Sequence, residues 1–141
     1  MGLINPGYAT GTVIGGNLCT FNLLQGTEYF PDINNTIILM EEDNLLGETS
    51  LVEFDRNLQS VIDCKSFSNV KGILIGRFQI GSKISIEQLK KVIKSKNELT
   101  NIPVIANIDF GHTTPIVTLP IGGTASIEAE NDKVKITILE H

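Results

Sequence analysis

Continuous runs of aliphatic residues occur three times along the chain and predict its strongest strands. They cover residues 36–40, 71–78 and 102–108. Runs without alternating polar and apolar positions are typical of strands buried on both faces of a sheet. The first run ends in acidic residues that begin at Glu41, and the third is followed by His112. Two predicted strands therefore end next to side chains that can take part in chemistry.

Two segments have the three- and four-residue spacing of apolar positions that is typical of amphipathic helices. Ser50 with Glu53, and Ser85 with Gln88, match the sequence pattern of a capping box. The apolar positions are Leu51, Phe54, Leu58, Val61 and Ile62 in the first helix and Ile86, Leu89 and Ile93 in the second. We therefore expect both serines to cap helices, which also explains them without a role as nucleophiles.

The two ends of the chain are richer in strand signals. Residues 10–14 predict a short strand that Gly15 and Gly16 break, and Asn17 is placed to cap a helical turn over residues 18–24. After the third apolar run, polar and apolar positions alternate, which predicts an antiparallel meander. Its strands cover residues 116–119, 124–129 and 133–138. The predicted fold class is α/β with a mixed sheet.

Composition and charge exclude several classes of protein. The chain has 141 residues, of which 41% are hydrophobic and 19% charged, as expected of one globular domain. A net charge of -5 without a basic stripe argues against nucleic acid as a partner. No apolar run approaches the roughly 18 residues that span a bilayer, and no signal peptide is indicated. We expect a cytoplasmic domain that does not bind membranes.

The remaining features of the composition point to a domain without cofactors. Cys19 and Cys64 are isolated, so neither a disulfide framework nor a zinc site is indicated. Met1-Gly2 and residues 139–141 are typical of cloning remnants, the latter resembling the start of a histidine tag. The expected domain therefore covers residues 3–138, with no metal and no cofactor.

Glu41 and His112 each follow a predicted strand and are the candidate catalytic residues. The carboxyl ends of parallel strands lie at one edge of a sheet, so the two side chains are candidates for a pair. A carboxylate that accepts a hydrogen bond from one imidazole nitrogen leaves the other free to take a proton from a serine. These features alone are also typical of a hydrogen-bonded turn histidine and a solvated strand-end acid. Glu42 and Asp43 are nearly equivalent candidates for the carboxylate.

Six short motifs occur in the order and at the approximate spacing of one known family. They are Gly15-Gly16-Asn17-Leu18, Gln25-Gly26-Thr27-Glu28-Tyr29, the apolar run that ends in Glu41-Glu42, Gly72-Ile73-Leu74-Ile75-Gly76, Phe110-Gly111-His112-Thr113 and Thr118-Leu119-Pro120-Ile121-Gly122. No single motif is specific, but together they extend over most of the chain. The chain resembles the C-terminal domain of serine peptidases of the LD-carboxypeptidase and microcin-immunity family.

This resemblance implies a swivelling β/β/α domain and a role for two residues. Glu41 matches the glutamate of the family's catalytic triad, and His112 matches its general base. The family's nucleophilic serine lies in a separate N-terminal domain that no segment here matches. The resemblance thus implies a fragment that is inactive alone and has its own missing N-terminal domain as partner. The surface left uncovered would also favour a homodimer of the fragment.

The expected substrate depends on the branch of the family. Some members remove the terminal D-alanine of murein tetrapeptides at an L,D peptide bond, and others hydrolyse microcin-type peptidyl nucleotides for self-immunity. The motifs around Thr27 and Thr113 favour the microcin-immunity branch, whereas Gly111, where that branch often has serine, counts against it. A phosphohistidine-type swivelling carrier module and a non-catalytic binding domain are the alternatives. The expected substrate is a peptide or a peptidyl nucleotide.

Overall fold

Seven strands form one mixed sheet in the computed structural model, which describes all 141 residues. The strands are β1 (Gly2–Asn5), β2 (Gly7–Asn17), β3 (Thr36–Glu41), β4 (Gly72–Gly76), β5 (Val104–Ile108), β6 (Thr124–Glu130) and β7 (Lys133–Glu140). Their order in the sheet is β1-β5-β4-β3-β2-β6-β7. Strands β5, β4, β3 and β2 run parallel, and the outer strands pair antiparallel. The predicted α/β class with a mixed sheet is confirmed.

Both faces of the central strands are covered, which explains their unbroken apolar sequences. Every residue of β3 and β4 is buried. One face, the helix face, packs against α1 (Leu18–Asn22), α2 (Ser50–Ile62) and α3 (Ile86–Lys94). The other, the curled face, packs against β6 and β7 of the same sheet. Strands enclosed in this way consist mainly of apolar residues, and Thr36 and Glu41 are the buried polar positions at the two ends of β3. None of the helices has the length and hydrophobicity that crossing a membrane requires.

The helices α2 and α3 begin differently although both carry the same sequence pattern. The predicted capping box of α3 is confirmed, because the Gln88 N–H donates to Ser85 Oγ and the Ser85 N–H donates to Gln88 Oε1. The predicted capping box of α2 is wrong. A short 3-10 turn, Gly47–Thr49, leads into α2, so Ser50 is already helical and its buried hydroxyl has no hydrogen-bond partner.

Strand β2 is longer than the sequence pattern predicts. It continues through Gly15 and Gly16 to Asn17, so the predicted break at these glycines is wrong. A Cβ atom on Gly15 would lie 2.1 Å from the carbonyl oxygen of Leu39, and the φ of this glycine is 119°. Glycine therefore lets β2 approach β3 closely. The prediction for Asn17 is confirmed, since its Oδ1 accepts a hydrogen bond of 2.9 Å from the Thr20 N–H.

The outer parts of the chain also depart from the predicted elements. Strand β1 has no counterpart among the predicted strands. Residues 116–119 lie in an irregular segment between β5 and β6, so the strand predicted there is wrong. The predicted hairpin of β6 and β7 is confirmed, with Asn131 and Asp132 at positive φ in its turn. Residues 139 and 140 belong to β7.

Candidate active site

Glu41 and His112 meet at the edge of the sheet where the parallel strands end. Glu41 is the last residue of β3, and His112 lies in the segment that follows β5. Because β2 to β5 are parallel, their carboxyl ends share one edge. The Nδ1 atom of His112 lies 2.6 Å from Oε2 of Glu41. The two side chains selected from the sequence are therefore in direct contact.

Burial and hydrogen bonding give the two side chains different properties. Glu41 is 6% exposed, whereas the side chain of His112 is 48% exposed. The hydrogen bond that His112 donates to Glu41 raises the pKa of His112 above its ordinary value of 6.5, burial opposes this, and the negative charges of Glu41, Asp43 and Glu42 add to it. When Nδ1–H donates to Glu41, Nε2 is the nitrogen that accepts a proton. The pair thus has the chemistry of a base whose protonated form is stabilised by a carboxylate.

The pleat of β3 distinguishes Glu41 from Glu42. Ile37 and Leu39 lie on the curled face and Met40 on the helix face, so consecutive residues alternate between the two. Glu41 continues the curled face towards His112. Glu42 accepts a 3.1 Å hydrogen bond from Asn57 of α2, on the helix face. The structure therefore brings His112 to Glu41 and not to Glu42.

Two glycines make room for the contact between Glu41 and His112. Gly111 has a φ of 95°, and a Cβ atom on it would lie 2.7 Å from Oε2 of Glu41. A Cβ atom on Gly76, at the end of β4, would lie 2.9 Å from Cβ of Glu41 and 2.8 Å from the carbonyl oxygen of Phe110. Sequence reasoning assigned no role to either glycine, although both stand within the motifs that carry the family resemblance. The backbone on both sides of Glu41 can approach it only where no side chain intervenes.

This chain places no nucleophile against the imidazole. The hydrogen bond to Glu41 is the one side-chain hydrogen bond that His112 makes. Ser50 and Ser85 lie at the starts of α2 and α3. No group of three or more histidine, cysteine, aspartate or glutamate side chains is arranged to hold a metal ion. The site therefore consists of an imidazole and its carboxylate partner, with no hydroxyl or thiol hydrogen-bonded to the imidazole.

None of the five main cavities of the molecule is lined by Glu41 or His112. The largest, with a volume of about 610 Å³, is lined by residues that include Gln25, Phe30, Cys64 and Asn69. Asn69 lies just before β4, at the edge opposite His112. Size alone would select this cavity as the functional site, but it contains neither member of the pair. The pair lies on an open edge of the sheet, as expected for one side of a cleft.

Comparisons with known proteins assign these residues to a family. The family model described as the LD-carboxypeptidase C-terminal domain matches residues 10–127. YocD of Bacillus subtilis, which is named as a carboxypeptidase, is 55% identical over 99% of this chain and 42% of its own length. The microcin C7 self-immunity protein MccF of Escherichia coli is 34% identical over 93% of this chain and 38% of its own length.

Solved structures agree with these sequence matches. The crystal structure of an MccF-like protein from Bacillus anthracis str. Ames has a TM-score of 0.97 and 51% identity, and the match covers 99% of this chain and 43% of that one. MccF in complex with glutamyl sulfamoyl guanosine has a TM-score of 0.75 and 29% identity, over 99% of this chain and 41% of that one. The chain therefore spans less than half the length of these relatives. Since the matched residues include both Glu41 and His112, the chain belongs to the family of LD-carboxypeptidase C-terminal domains.

Proposed function

We propose that this chain supplies the general base and the carboxylate of a Ser-His-Glu triad in a serine carboxypeptidase. The 2.6 Å contact between His112 Nδ1 and Glu41 Oε2 carries the proposal. Residues 3–138 form the C-terminal domain, and the nucleophilic serine belongs to an N-terminal domain of the parent protein. The match to only 42% of YocD supports this division.

The mechanism assigns each atom of the pair a separate task. Nε2 of His112 takes the proton of the serine hydroxyl as the serine oxygen attacks the scissile carbonyl carbon. The imidazolium then gives this proton to the leaving amine, and water repeats the sequence to release the acyl group. Glu41 stays ionised, keeps the proton on Nδ1 and stabilises the imidazolium. The donors that stabilise the oxyanion lie beside the serine, so this chain alone is inactive.

The substrate is a peptide or a peptidyl nucleotide with a hydrolysable acyl bond. The family description points to the terminal L,D peptide bond of a murein tetrapeptide, and the similarity to MccF points to a microcin-type peptidyl nucleotide. The structure of MccF contains glutamyl sulfamoyl guanosine, an aminoacyl nucleoside analogue. Assays of the parent enzyme with both substrate classes, each measured as kcat/KM, distinguish the two branches.

The partner of this chain is the N-terminal domain of its parent. Leu45, Ile80 and Ile116 follow β3, β4 and β5 and are 85%, 96% and 65% exposed. Large apolar side chains exposed after three neighbouring parallel strands are consistent with a binding surface at that end of the sheet. Mixing this chain with the separately produced N-terminal domain restores turnover, and without that domain the same surface favours a homodimer. Sedimentation of the chain alone and of the mixture measures the two associations, and a turnover assay of the mixture measures the restored activity.

Substitution of the pair in the parent enzyme tests the proposed triad. Glu41→Gln and His112→Ala each lower kcat by about 10⁴-fold, as expected when the orientation or the base of such a triad is lost. Glu128→Gln is the matched control, because Glu128 is an exposed strand carboxylate that pairs with Lys135. Near wild-type turnover in either variant would remove that residue from the triad. Acid-labile phosphate on His112 after incubation with a phosphoryl donor would favour the carrier alternative instead.

A further inference from the structure

Glu42 is a second buried carboxylate at the end of β3, and the proposed triad gives it no role. It is 8% exposed and lies between Glu41 and Asp43, so it is surrounded by like charge. Burial is the main cause that raises its pKa, and the hydrogen bond from Asn57 opposes this. Burying a carboxylate beside two others is costly unless hydrogen bonds compensate for the lost water. The hydrogen bonds that hold the Glu42 carboxylate therefore indicate which parts of the fold it connects.

Two amide side chains hold the carboxylate of Glu42 from different elements. Asn57 Nδ2 of α2 donates to Oε1 at 3.1 Å, and Asn17 Nδ2 at the end of β2 makes a longer contact of 3.5 Å with Oε2. Asn17 cannot turn its amide around, since its Oδ1 accepts from the Thr20 N–H. The carboxylate of Glu42 thus links β3 to α2 and to the junction of β2 and α1.

The linkage continues between the two helices as a series of side-chain hydrogen bonds. Asn22 Nδ2 donates to Oδ1 of Asn57 at 3.2 Å and to its carbonyl oxygen at 2.9 Å. Gln25 Nε2 donates to Asn22 Oδ1 at 2.7 Å, and Ser60 Oγ donates to Gln25 Oε1 at 3.2 Å. Asn57 is therefore held by α1 as well as by its own helix. Through Asn57, Glu42 is therefore connected to both α1 and α2.

The end of β3 needs such an attachment because its ladder is incomplete there. On the β4 side the pairing stops at Met40, opposite Ile75. On the β2 side Glu41 is still paired, with Asn17. Glu41 thus has a backbone partner on one side alone, at a point where the chain leaves the sheet. The side chain of that same partner, Asn17, contacts Glu42.

We propose that Glu42 is a positioning residue, which anchors the end of β3 to α1 and α2 and thereby holds the Glu41 carboxylate against His112. The catalytic importance of this positioning rests on the proposed function. Glu42 acts through Glu41, on the opposite face of the strand, and does not touch the reacting atoms. Loss of the anchor allows the end of β3 to move, and the 2.6 Å contact is the first to weaken.

A titration of His112 by NMR tests the proposal in this chain, without any need for turnover. The chain has two histidines, and His141 at the terminus is the internal reference. In the wild type the bond to Glu41 raises the pKa of His112. Glu42→Ala removes both the charge and the anchor, whereas Glu42→Gln removes the charge and keeps an acceptor for Asn57. We expect the pKa of His112 to fall further in Glu42→Ala than in Glu42→Gln.

A charge control separates positioning from electrostatics. The titratable groups that face Glu42 are Glu41 and Asp43 on its own segment, Cys19 of α1 and Glu53 of α2. Asp43→Asn removes one neighbouring charge and retains the Oδ1 acceptor for the Leu45 N–H. We expect the pKa of His112 in Asp43→Asn to lie close to the pKa of His112 in Glu42→Gln. Equal titration of His112 in Glu42→Ala, Glu42→Gln and Asp43→Asn would overturn the proposal, because charge alone would then explain the effect.

Two further measurements complete the test. If Glu42→Ala does not fold, Asn57→Ala removes the 3.1 Å bond and keeps the carboxylate, and a lowered pKa of His112 is again expected.

In the parent enzyme Glu42→Ala lowers kcat by about 10- to 100-fold with little change in KM, and Glu42→Gln restores most of the lost kcat. An unchanged His112 pKa in Asn57→Ala, or an unchanged kcat in Glu42→Ala, contradicts the positioning role. Absence of peptidase activity in the wild-type parent would reject the proposed function and leave the NMR result intact.

Discussion

Glu41 and Glu42 are neighbours in the sequence, but they belong to different halves of the molecule. Glu41 faces the curled side of the sheet and contacts the half-exposed His112, while Glu42 faces the helices and is held by amide side chains. The curled face carries the proposed catalytic pair at its open edge. The helix side carries caps, amide networks and the larger of the two cores. The comparison shows that the end of β3 lies between the Glu41–His112 contact on one face and the helices α1 and α2 on the other.

Among substitutions that leave Glu41 and His112 themselves unchanged, the largest effect is expected on the curled face, where the backbone lies against Glu41. Gly111→Ala adds a Cβ atom 2.7 Å from Glu41 Oε2, at a residue whose φ is 95°. We expect the contact with His112 to be displaced and turnover of the parent enzyme to fall about 100-fold. Gly122→Ala is the matched control, because Gly122 has a φ of 89° and nothing within 4 Å of an added Cβ atom. Similar turnover in the two variants would mean that backbone strain, and not contact with Glu41, is responsible.

The pH dependence of activity and of stability tests the contact between His112 and Glu41 on the curled face. His112 must be neutral to act as a base, and the hydrogen bond to Glu41 raises its pKa, so we expect the midpoint of the rise in activity with pH to lie above the ordinary pKa of histidine. Glu41→Gln moves this rise to lower pH and lowers its plateau. The pKa of His112 is higher in the folded protein than in the unfolded chain. The contribution of His112 to stability is therefore complete at pH values below its pKa in the unfolded chain, and it is lost as pH rises through its pKa in the folded protein.

Urea unfolding of the wild type and of His112→Ala checks this sign. We expect the wild type to have a higher free energy of unfolding than His112→Ala, and we expect this difference to be larger at pH 5 than at pH 9. Because the side chain of His112 is 48% exposed, solvent reduces the size of the difference. A larger difference at pH 9 would show that the imidazole is not stabilised in its protonated form.

The smallest effect is expected at the helix starts. Ser85→Ala removes a confirmed cap of α3 and lowers the free energy of unfolding by about 1 kcal/mol. Ser50→Ala removes a buried hydroxyl without a partner, so its free energy of unfolding stays equal or rises. Both changes lie on the helix side, and we expect neither to alter the pKa of His112 measured by NMR. An equal loss of stability in the two variants would contradict the difference between their caps.

These two serines show where local sequence signals succeed and fail. The pattern of a serine three residues before a polar acceptor is the same in both, and α3 forms the predicted capping box. In α2 the preceding 3-10 turn, Gly47–Thr49, already has helical geometry, so Ser50 lies one position too late to cap. A cap depends on the backbone conformation of the residue before the helix. That conformation follows from how the loop after β3 packs, which a three-residue pattern does not contain.

The strands show the same division. Unbroken apolar runs predict β3, β4 and β5, because strands covered on both faces are built mainly from apolar residues. Gly15 and Gly16 predict a break, but both remain in β2, where Gly15 approaches Leu39 of β3 closely. The apolar residues 116–119 predict a strand, but they pair with no strand of the sheet. Pairing partners and close contacts are properties of the assembled sheet.

Residue types and their order were sufficient for the α/β class, the buried central strands and the candidate pair of Glu41 and His112. They could not choose between Glu41 and Glu42 by geometry, because adjacent carboxylates differ only in the face to which the pleat directs them. Tertiary structure made that choice by placing His112 on the curled side and Asn57 on the helix side. It also revealed why Gly111 precedes the histidine, since a contact between residues distant in sequence exists only once the strands are aligned.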